Sequence, residues 1–462
     1  MRFFDRDEET SMIRDGMSRD HCFFVITGRR RIGKTRLIRE ALKGPDLLEF
    51  FIPRKRLSLA LDQLSRSLRE QTGYSPTFGS LEEFFEYLFR LDGKIIFFDE
   101  LSNLKFVDEG SFSDLQMLID RYKDDRRLRL IVDGSHVGLM KKIFEDRKEP
   151  LFGRSTQLLE LRPLPWKDSV NILIDSGFTF RDAMEAYSLV GGVPRYLELI
   201  RYMKNIGEIR KRIFSPGSIF LPEGENVLIQ EFGNSWDTYF SILEVISRGK
   251  FGPTIIADQL AMEVQMLPKY INNLMDMRLV RRDRPIFGKE KHVRYVIDDP
   301  FFQFWFSVCY PKMELLKNGI AKIDKNTFFD AIGRGIEKVI RTFLEENGSI
   351  PFVQDGSGSW WDRSGNEVDS LFYSRRKKAL VVGEIKWRNR PTGPDVVRDL
   401  LNNMEKIDWH NHKRTEYAFI MSREGFTEDA ISLMKEERVL GITVEDLERT
   451  INGDGRIRWI RR

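Results

Sequence analysis

Residues 28–35 are the segment of this sequence whose types and spacing most clearly predict chemistry. They read GRRRIGKT, the pattern G-x-x-x-x-G-K-[ST], between an apolar run, FFVIT, and a helical pattern, RLIREAL. In this pattern backbone N–H groups surround phosphates, and Gly33 allows the close approach that a side chain would block. Lys34 is placed on the β and γ phosphates, and the Thr35 hydroxyl on Mg²⁺. The sequence therefore predicts that ATP and Mg²⁺ are bound by Gly28, Arg29, Arg30, Arg31, Ile32, Gly33, Lys34 and Thr35.

The three arginines of this loop allow two interpretations. Arg29, Arg30 and Arg31 occupy the variable positions of the pattern, where a side chain either reaches a phosphate or a partner, or faces solvent. Because charged side chains are seldom buried without a partner, we expect these three to be exposed.

Two acids and a serine follow two later apolar runs. KIIFFDE ends in Asp99 and Glu100, and LRLIVDGS ends in Ser135. In a P-loop site one acid at the end of a neighbouring strand holds Mg²⁺, and a second polarises the attacking water. We therefore predict these roles for Asp99 and Glu100, and the alternative is two solvated acids after a buried strand. Ser135 either senses the γ-phosphate or is an ordinary turn residue.

Acids and a lysine near the C-terminus form a second candidate site. Asp369 lies in GNEVDSLFY, and Glu384 and Lys386 lie in ALVVGEIKW. Since residues i and i+2 leave a strand on the same face, Glu384 and Lys386 are predicted to point the same way. Asp369 and Glu384 are suited to coordinate Mg²⁺, which activates water, while Lys386 stabilises developing charge. The alternative is a domain used only for packing, with Glu384 and Lys386 as a surface ion pair.

Short apolar runs position the first of these sites. They alternate with amphipathic helical patterns between residues 23 and 161. Runs of this length that are rich in Ile, Val and Phe are typical of buried parallel strands joined by crossover helices. The sequence therefore predicts an α/β fold with a P-loop NTPase parallel sheet, whose strands lie in FFVIT at 23–27, LLEFFI at 47–52, KIIFFDE at 94–100, LRLIVDGS at 128–135 and QLLELRPL at 157–164.

Three further segments complete the predicted architecture. After Pro165 the pattern becomes helical and indicates a small lid. Three helical patterns and two strand-like runs between residues 236 and 299 predict a winged helix-turn-helix, and the aromatic segment PFFQFWF after it is predicted to pack as core. A long amphipathic helix followed by strand-like runs predicts a second α/β unit. The predicted domains are an ATPase core at 1–164, a helical lid at 165–234, a winged helix-turn-helix at 235–310 and a C-terminal α/β domain at 311–462.

Length and composition restrict the class of protein. The 462 residues are 41% hydrophobic and 32% charged, which is typical of folded domains, and no stretch approaches the roughly 18 apolar residues of a membrane span. The opening MRFFDRDEET carries acids where a secretion signal would be basic and then apolar. Cys22 and Cys309 are too few for a disulfide framework. We therefore expect a cytoplasmic protein without a membrane partner.

The charge of the whole chain does not identify a partner. A net charge of +4 is too small to indicate nucleic acid, so such a partner depends on a local site. Basic residues flank the predicted wing, where two interpretations stay open, contact with a phosphate backbone or a solvated face of a module that contacts protein. These residues are Arg278, Arg281, Arg282, Arg284, Lys289, Lys291 and Arg294.

Roughly the first 300 residues resemble a known family. FFDRDEET, the GRRRIGKT loop, FFDE, the strand ending in DGS, LFGRST and GGVPRYLEL together resemble the archaeal-type ATPases of the STAND group within the AAA-like P-loop NTPases. The resemblance implies a nucleotide-driven switch, with Arg6 near the base and Arg154 in the family's Gly-Arg pair. It also implies that Gly191, Gly192 and Pro194 form a lid turn near the nucleotide. Asp133 stands where a Thr is more usual.

The C-terminal part resembles the PD-(D/E)xK nuclease core and the domain often fused to archaeal-type ATPases. By this resemblance Asp369 is the first acid, Glu384 the second acid and Lys386 the lysine of the motif. Glu337, in the helical pattern FFDAIGRGIEKVIRTFL, is then the helical acid at the metal. Val368 stands where the name of the motif has proline. The resemblance implies a nuclease-like C-terminal domain that uses Mg²⁺.

Three functions stay open at this point. The first is an ATP-controlled switch that regulates Mg²⁺-dependent cleavage of DNA by the C-terminal domain. The second is a regulatory or scaffold ATPase whose C-terminal domain binds nucleic acid or protein without cleavage. The third is a transcription-linked protein that binds specific DNA through the winged helix. We expect ATP and Mg²⁺ as cofactors and DNA as a partner, with a protein partner or a homo-oligomer as the alternative.

Overall fold

The computed structural model describes residues 6–44, 46–123, 128–249, 251–287, 293–347 and 349–462. Its contacts divide the chain into two compact units. The first unit is Met1–Leu164 with Val193–Arg195, and the second is Pro165–Gly192 with Tyr196–Arg462. The GRRRIGKT loop therefore lies in the first unit, and the second candidate site lies in the second unit.

The first unit is built on a parallel sheet of five strands. The strand order is β2-β3-β4-β1-β5, and all four neighbouring pairs are parallel. The P-loop NTPase sheet that the sequence predicts is confirmed, although the last strand is shorter than the predicted run at 157–164. The strands are β1 (Cys22–Thr27), β2 (Leu47–Phe51), β3 (Ile95–Asp99), β4 (Arg129–Gly134) and β5 (Gln157–Glu160).

Helices cover both faces of this sheet. Phe23 and Val25 of β1 belong to one apolar cluster, and Phe24 and Ile26 belong to another. Because successive side chains of a strand point to opposite faces, a strand with helices on both sides is apolar throughout. The helices are α1 (Asp7–Met17), α2 (Lys34–Ala41), α3 (Leu57–Thr72), α4 (Leu81–Phe89), α5 (Leu104–Val107), α6 (Ser111–Tyr122) and α7 (Val137–Glu145).

Helices follow the sheet where the sequence predicts a lid. Thr179 caps α9 by accepting a hydrogen bond from the Asp182 backbone N–H, and Asn205 caps α11 in the same way through Glu208. The helices are α8 (Trp166–Asp175), α9 (Phe180–Val190), α10 (Pro194–Ile200), α11 (Ile206–Ile213) and α12 (Glu223–Phe232).

The next segment has the three helices and the two-stranded antiparallel wing that the sequence predicts. The helices are α13 (Trp236–Arg248), α14 (Pro253–Gln259) and α15 (Leu267–Asp276), and the wing is β6 (Val280–Asp283) with β7 (Arg294–Ile297). The aromatic segment after the wing is buried, as predicted, at Phe301, Phe302, Phe304, Trp305 and Phe306. It forms α16 (Pro300–Phe304) and a π-helical segment (Trp305–Cys309), and α17 (Met313–Lys317) follows.

The C-terminal region is a separate mixed α/β sheet, as predicted. The strand order is β12-β11-β10-β9-β8, in which β8, β9 and β10 pair antiparallel and β10, β11 and β12 pair parallel. The strands are β8 (Gly356–Trp361), β9 (Glu367–Ser374), β10 (Ala379–Lys386), β11 (Thr415–Ser422) and β12 (Val439–Ile442). The helices are α18 (Lys325–Glu346), α19 (Pro394–Glu405), α20 (Glu428–Glu436) and α21 (Val444–Ile451).

Helix α18 is long and amphipathic. It has 22 residues and buries an apolar stripe that includes Ile332, Ile336, Ile340 and Phe343. The opposite face carries charged side chains. Across the part of the chain that the structure describes, no helix combines the length and the apolar character that a bilayer crossing requires.

Candidate nucleotide site and candidate C-terminal site

The loop at 28–35 joins β1 to α2 and requires glycine at two positions. Gly28 and Gly33 have φ angles of +151° and +93°, which side chains with a Cβ rarely adopt. A Cβ on Gly28 would also lie 2.7 Å from the Leu161 carbonyl oxygen. Helix α2 begins at Lys34, so the positive end of the helix dipole lies at this loop.

Lys34 is buried and hydrogen-bonded within the site. Its side chain is 6% exposed, and Nζ donates hydrogen bonds to the Gly28 carbonyl at 3.0 Å and to Ser135 Oγ at 2.9 Å. Both acceptors are uncharged oxygens that orient the ammonium group, whose charge also acts on the nearby Asp99 and Asp133. This arrangement fits a phosphate group as the ligand of the loop.

The predicted Mg²⁺ ligands Thr35 and Asp99 lie together. Thr35 Oγ1 donates to Asp99 Oδ2 at 3.3 Å, and a hydroxyl beside a carboxylate suits Mg²⁺. Burial raises the pKa of Asp99, and the charge of Glu100 raises it further. Asp133 is fully buried, and burial raises its pKa well above the ordinary value. Asp133 Oδ1 accepts a hydrogen bond from the Glu100 backbone N–H at 3.0 Å, and among the described residues its Oδ2 has no hydrogen-bond partner.

Ser135 connects the lysine of the loop to Glu100. Its hydroxyl contacts Lys34 Nζ and also hydrogen-bonds Glu100 Oε1, and its backbone N–H donates to Glu100 Oε2 at 3.1 Å. Glu100 has a φ of +59°, an uncommon backbone conformation that is frequent at functional sites. Of the two roles left open for Ser135, the contacts with Lys34 and Glu100 favour a part in the site.

The side chains at the variable loop positions differ from the prediction in one case. Arg31 is exposed and Arg30 half-buried, but Arg29 is only 7% exposed. The expectation of an exposed Arg29 is wrong, because this residue is buried. Ile32 is 1% exposed and packs in an apolar cluster with α1 and α2 residues, so only its backbone is open to a ligand.

The residues implied by the resemblance occupy defined positions. Arg6 forms a salt bridge with Glu9 at 2.6 Å and also donates to the Arg162 carbonyl oxygen. Arg154 forms a salt bridge with Asp120 at 2.8 Å. Pro194 Cγ lies 4.0 Å from the position that a Cβ on Gly33 would take. Of these residues, Pro194 is therefore the one that approaches the loop.

The acids and the lysine of the second site come from three elements. Asp369 lies on β9, Glu384 and Lys386 lie on β10, and Glu337 lies on α18. The Asp369 carboxylate accepts a hydrogen bond from the Ile385 backbone N–H at 2.9 Å, so it lies against the next strand. Lys386 Nζ donates to Glu384 Oε1. The side chains of Glu384 and Lys386 are only 16% and 19% exposed, so this is not the surface ion pair of the alternative interpretation.

Glu384 has an unusual protonation equilibrium. Burial, and then the negative charge of Asp369, raise the pKa of Glu384 from 4.5 to about 7, although Lys386 opposes this. Two neighbouring carboxyl groups suit Mg²⁺, which proteins often hold through one or two carboxylates. Among the described residues, no three His, Cys, Asp or Glu side chains gather in a group that could hold a metal ion. Glu337 therefore does not complete a three-acid cage with the other two acids.

An open cleft of about 570 Å³ adjoins this group. Glu337, Asp369 and Lys386 line it together with three arginines, Arg334 on α18 and Arg388 and Arg390 after β10. Sequence motifs do not single out these arginines, although Arg388 and Arg390 stand in the run Lys386-Trp-Arg-Asn-Arg at the end of the predicted strand. The cleft brings cations beside the carboxylates, so it is suited to an anionic substrate.

The predicted wing contacts the C-terminal sheet. Ile286 donates a backbone hydrogen bond to the Ser359 carbonyl at 3.0 Å, and Phe287 stacks on Trp409 with ring centroids 4.8 Å apart. Arg281 forms salt bridges with Asp298 at 2.9 Å and with Asp283 at 3.4 Å.

The basic residues of the wing are therefore not one uniform surface. Arg281 is paired within the protein, and Arg294 lies 3.5 Å from Glu367 and over the Trp361 ring. Both residues therefore take part in intramolecular contacts, and the two interpretations that the sequence left open stay predictions. Arg282 and Arg284 are exposed and Arg278 is partly buried. Lys289 and Lys291 lie outside the described residues.

Comparisons with known proteins give separate matches for two parts of the chain. Residues 3–200 match a family described as an ATPase domain predominantly from Archaea. Residues 305–407 match a family described as archaeal and bacterial proteins of unknown function.

Individual proteins are similar over longer stretches. An uncharacterized protein of Methanocaldococcus jannaschii is 29% identical over 429 residues, which are 90% of this chain and 95% of that protein. The Walker-type ATPase of Pyrococcus abyssi superposes with a TM-score of 0.53 and 21% identity, over 66% of this chain and 96% of its own. The ORC2 protein of Aeropyrum pernix, in ADPNP-ADP complexes, gives a TM-score of 0.44 at 14% identity, over 68% and 94% of the two chains. This last score is too low to support an argument.

The family match and the fold agree for the first part of the chain. The parallel sheet with strand order β2-β3-β4-β1-β5 and the loop at 28–35 lie within the matched range. The family that covers residues 305–407 has no known function, so the chemistry of Asp369, Glu384 and Lys386 is interpreted from geometry. Residues 3–200 form an ATPase domain of the archaeal type, with the fold of a P-loop ATPase.

Proposed function

We propose that this protein is an ATP-hydrolysing switch that controls a Mg²⁺-dependent, DNA-cleaving site in its C-terminal domain. In this proposal residues 1–164 hydrolyse ATP, 165–234 are the lid and 235–310 the winged helix-turn-helix, and 311–462 are the nuclease-like domain. One observation carries the proposal. Asp369, Glu384 and Lys386 form a half-buried group, and Asp369 and Lys386 line an open cleft together with arginines.

The free-energy cost of this group supports a chemical role. Two neighbouring carboxyl groups repel each other, and burial disfavours their charged forms. Glu384, with its pKa raised to about 7, carries this cost. A position that served only packing would be occupied at lower cost by apolar side chains of similar volume. Glu384, a shifted acid beside a cleft, is therefore better explained by a site that binds a metal ion.

In the ATPase domain we assign each residue of the site a separate role in ATP hydrolysis. The loop N–H groups and Lys34 bind and orient the phosphates, and Thr35 and Asp99 would hold Mg²⁺. Bound Mg²⁺ neutralises charge that develops on the phosphate. Glu100 orients and deprotonates the attacking water, and Ser135, which contacts both Lys34 and Glu100, places the two relative to each other.

In the C-terminal domain Asp369 and Glu384 would hold the metal ion. A bound Mg²⁺ supplies a Lewis acid that lowers the pKa of water and polarises a phosphodiester. Lys386 lies beside the carboxylates and stabilises negative charge on the phosphate as it develops. Arg334, Arg388 and Arg390 bind the flanking phosphates of the DNA backbone.

A second function is favoured by a different observation. Arg281 and Arg294 of the wing pair with acids inside the protein, and the described acids do not form a three-ligand metal cage. Both facts agree with a regulatory or scaffold ATPase whose C-terminal domain binds nucleic acid or protein without cleavage. This alternative predicts DNA or protein binding that does not depend on Mg²⁺.

The experiment that separates the two functions uses the full-length protein, labelled single-stranded and duplex DNA, and Mg²⁺ with and without ATP. We expect cleavage by the wild type and none by the Asp369→Asn variant. Asp399→Asn changes an exposed acid of the same domain and should cleave like the wild type. If the wild type cleaves neither DNA under any of these conditions, the nuclease proposal is wrong and the scaffold function stands.

A further inference from the structure

Helix α9 carries a carboxylate that neither proposed site uses. Glu185 is 0% exposed. Its Oε1 accepts a hydrogen bond from Arg423 Nε at 2.6 Å and another from Trp387 Nε1 at 3.1 Å. Its Oε2 has no hydrogen-bond partner among the described residues. A fully buried carboxylate with one unsatisfied oxygen is costly, so a residue kept only for packing would not be expected here.

The two donors to Glu185 lie directly beside Lys386. Trp387 is the next residue in the chain, and the Arg423 backbone N–H donates to the Lys386 carbonyl at 3.1 Å. The Arg423 guanidinium also lies 3.9 Å from the centre of the Phe329 ring of α18. Glu185 therefore fixes the ends of β10 and β11 next to Lys386, the residue that the proposed cleavage requires.

Helix α9 also contacts the other element of the C-terminal site. A Cβ on Gly335 of α18 would lie 2.7 Å from the Ser188 carbonyl oxygen of α9, so the two helices approach as closely as only glycine allows. Glu337 and Arg334, which line the cleft, lie within two residues of this contact. A movement of α9 would thus act on α18 and on the end of β10 together.

Helix α9 is joined by a short stretch of chain to the first unit, which contains the nucleotide loop. It ends at Val190, and Val193–Arg195 already pack in the first unit, where Pro194 approaches Gly33. Only Gly191 and Gly192 separate the helix from that segment. A change at the nucleotide loop therefore has a covalent path of a few residues to α9.

We propose that Glu185 is a positioning residue through which the nucleotide state of the first unit sets the geometry around Lys386. This inference rests on the proposed function, because it names how ATP regulates the C-terminal site. The ion pair of Glu185 with Arg423 and its hydrogen bond with Trp387 hold the ends of β10 and β11 in one arrangement. A nucleotide that shifts residues 191–195 changes how well α9 supports that arrangement. Since coupling between two sites is reciprocal, a ligand at the C-terminal site must change nucleotide affinity by the same factor.

The test measures hydrogen exchange in the peptide over residues 380–390 of the full-length protein, with Mg²⁺ and with or without a non-hydrolysable ATP analogue. We expect the analogue to change the exchange rate around Lys386 by about fivefold or more in the wild type. Glu185→Gln keeps the shape of the side chain but removes its charge, and it should lose most of this change. Trp387→Phe removes only the indole donor and should reduce it. Asp175→Asn alters an exposed acid at the end of α8 and should behave like the wild type.

A merely structural role predicts a different pattern. Both variants would then exchange faster at 380–390 to the same extent with and without the analogue, and the effect of the nucleotide would persist. That result, or a wild type whose exchange at 380–390 does not respond to the analogue, would overturn the inference. If instead exchange responds through Glu185 while the wild type cleaves no DNA, the proposed cleavage is wrong and the coupling stands.

Discussion

Two lysines in this protein, Lys34 in the nucleotide loop and Lys386 in the C-terminal domain, have different hydrogen-bond partners. Lys34 is held by two neutral oxygens, the Gly28 carbonyl and the Ser135 hydroxyl. Lys386 is held by the carboxylate of Glu384, next to that of Asp369. The direct hydrogen-bond partners of the first lysine are therefore neutral, which suits an incoming phosphate. The second lysine belongs to a group whose two carboxylates suit a metal cation. With a metal ion bound, the same group would also suit a phosphate.

The largest expected effect is on the rate of ATP hydrolysis by the first unit. Glu100→Gln should bind ATP with unchanged affinity but hydrolyse it about 10² to 10⁴-fold more slowly, because the amide cannot accept a proton. Steady-state ATPase rates and equilibrium binding of a fluorescent ATP analogue measure the two properties separately. Hydrolysis at the wild-type rate would show that Glu100 is not the base.

Exchanging the two lysines for alanine sharpens the contrast between their surroundings. Lys34→Ala should weaken ATP binding about 100-fold, because charge-assisted hydrogen bonds to two phosphates are lost. Lys386→Ala should leave ATP binding unchanged and suppress cleavage while sparing metal binding, since an ammonium group is not a ligand for Mg²⁺. Calorimetric titration with ATP, and with Mg²⁺ alone, checks both variants. A loss of ATP affinity in Lys386→Ala as large as that in Lys34→Ala would contradict the separation of the two sites.

The raised pKa of Glu384 predicts how stability depends on pH without metal. The folded protein binds this proton with a pKa of about 7, against 4.5 for an ordinary glutamate. Stability is therefore lost as the pH rises through this interval, and Glu384→Gln removes the loss. In EDTA at pH 8 the variant should be more stable than the wild type by up to about 3 kcal/mol, and the difference should vanish below pH 4.5.

Urea denaturation at several pH values measures this difference. Asp399→Asn, an exposed acid on α19, serves as the control and should show no such pH dependence. A Glu384→Gln variant that is less stable than the wild type at pH 8 would mean that the pair with Lys386 stabilises the fold.

The smallest expected effect concerns where DNA is held. Replacing Arg388 and Arg390 together by Gln should reduce the slope of log affinity against log salt by about one to two units. The same change at Arg282 and Arg284, the exposed arginines of the wing, should leave the slope nearly unchanged. Fluorescence anisotropy with labelled DNA over a range of salt concentrations measures both slopes. A larger effect at the wing would show that the winged helix, and not the C-terminal cleft, binds the DNA backbone.

The two sites also differ in how much of them could be predicted from the sequence. The GRRRIGKT loop is one contiguous segment in which the glycines, the lysine and the threonine have a fixed spacing. The sequence pattern alone is therefore enough to locate them. Asp369, Glu384 and Lys386 were placed on adjacent strands, and the antiparallel pairing that joins Gly383 to Ser370 brings them together. The burial of Glu384 was not predictable, because it depends on the packing of three separate elements.

Other features depend on contacts between residues far apart in the chain. Glu185 meets Trp387 across 202 positions and Arg423 across 238, and no local pattern marks such a pair. Arg29 occupies a variable position of the motif, yet it is only 7% exposed, and the motif does not determine how the surrounding chain packs on that side chain. The wing arginines looked like a basic surface, but Asp298 and Glu367, which pair with Arg281 and Arg294, lie outside the run of basic residues.

The central claim is that ATP in the first unit controls cleavage in the C-terminal domain. It is tested most directly by the rate at which the full-length protein cleaves labelled DNA in Mg²⁺, with and without ATP, in the wild type and in Lys34→Ala. The account predicts that ATP changes the wild-type rate by about fivefold or more, and that Lys34→Ala cleaves at the ATP-free rate under both conditions. A Lys34→Ala protein that still responds to ATP like the wild type, or a wild-type rate that ATP does not change, would contradict it.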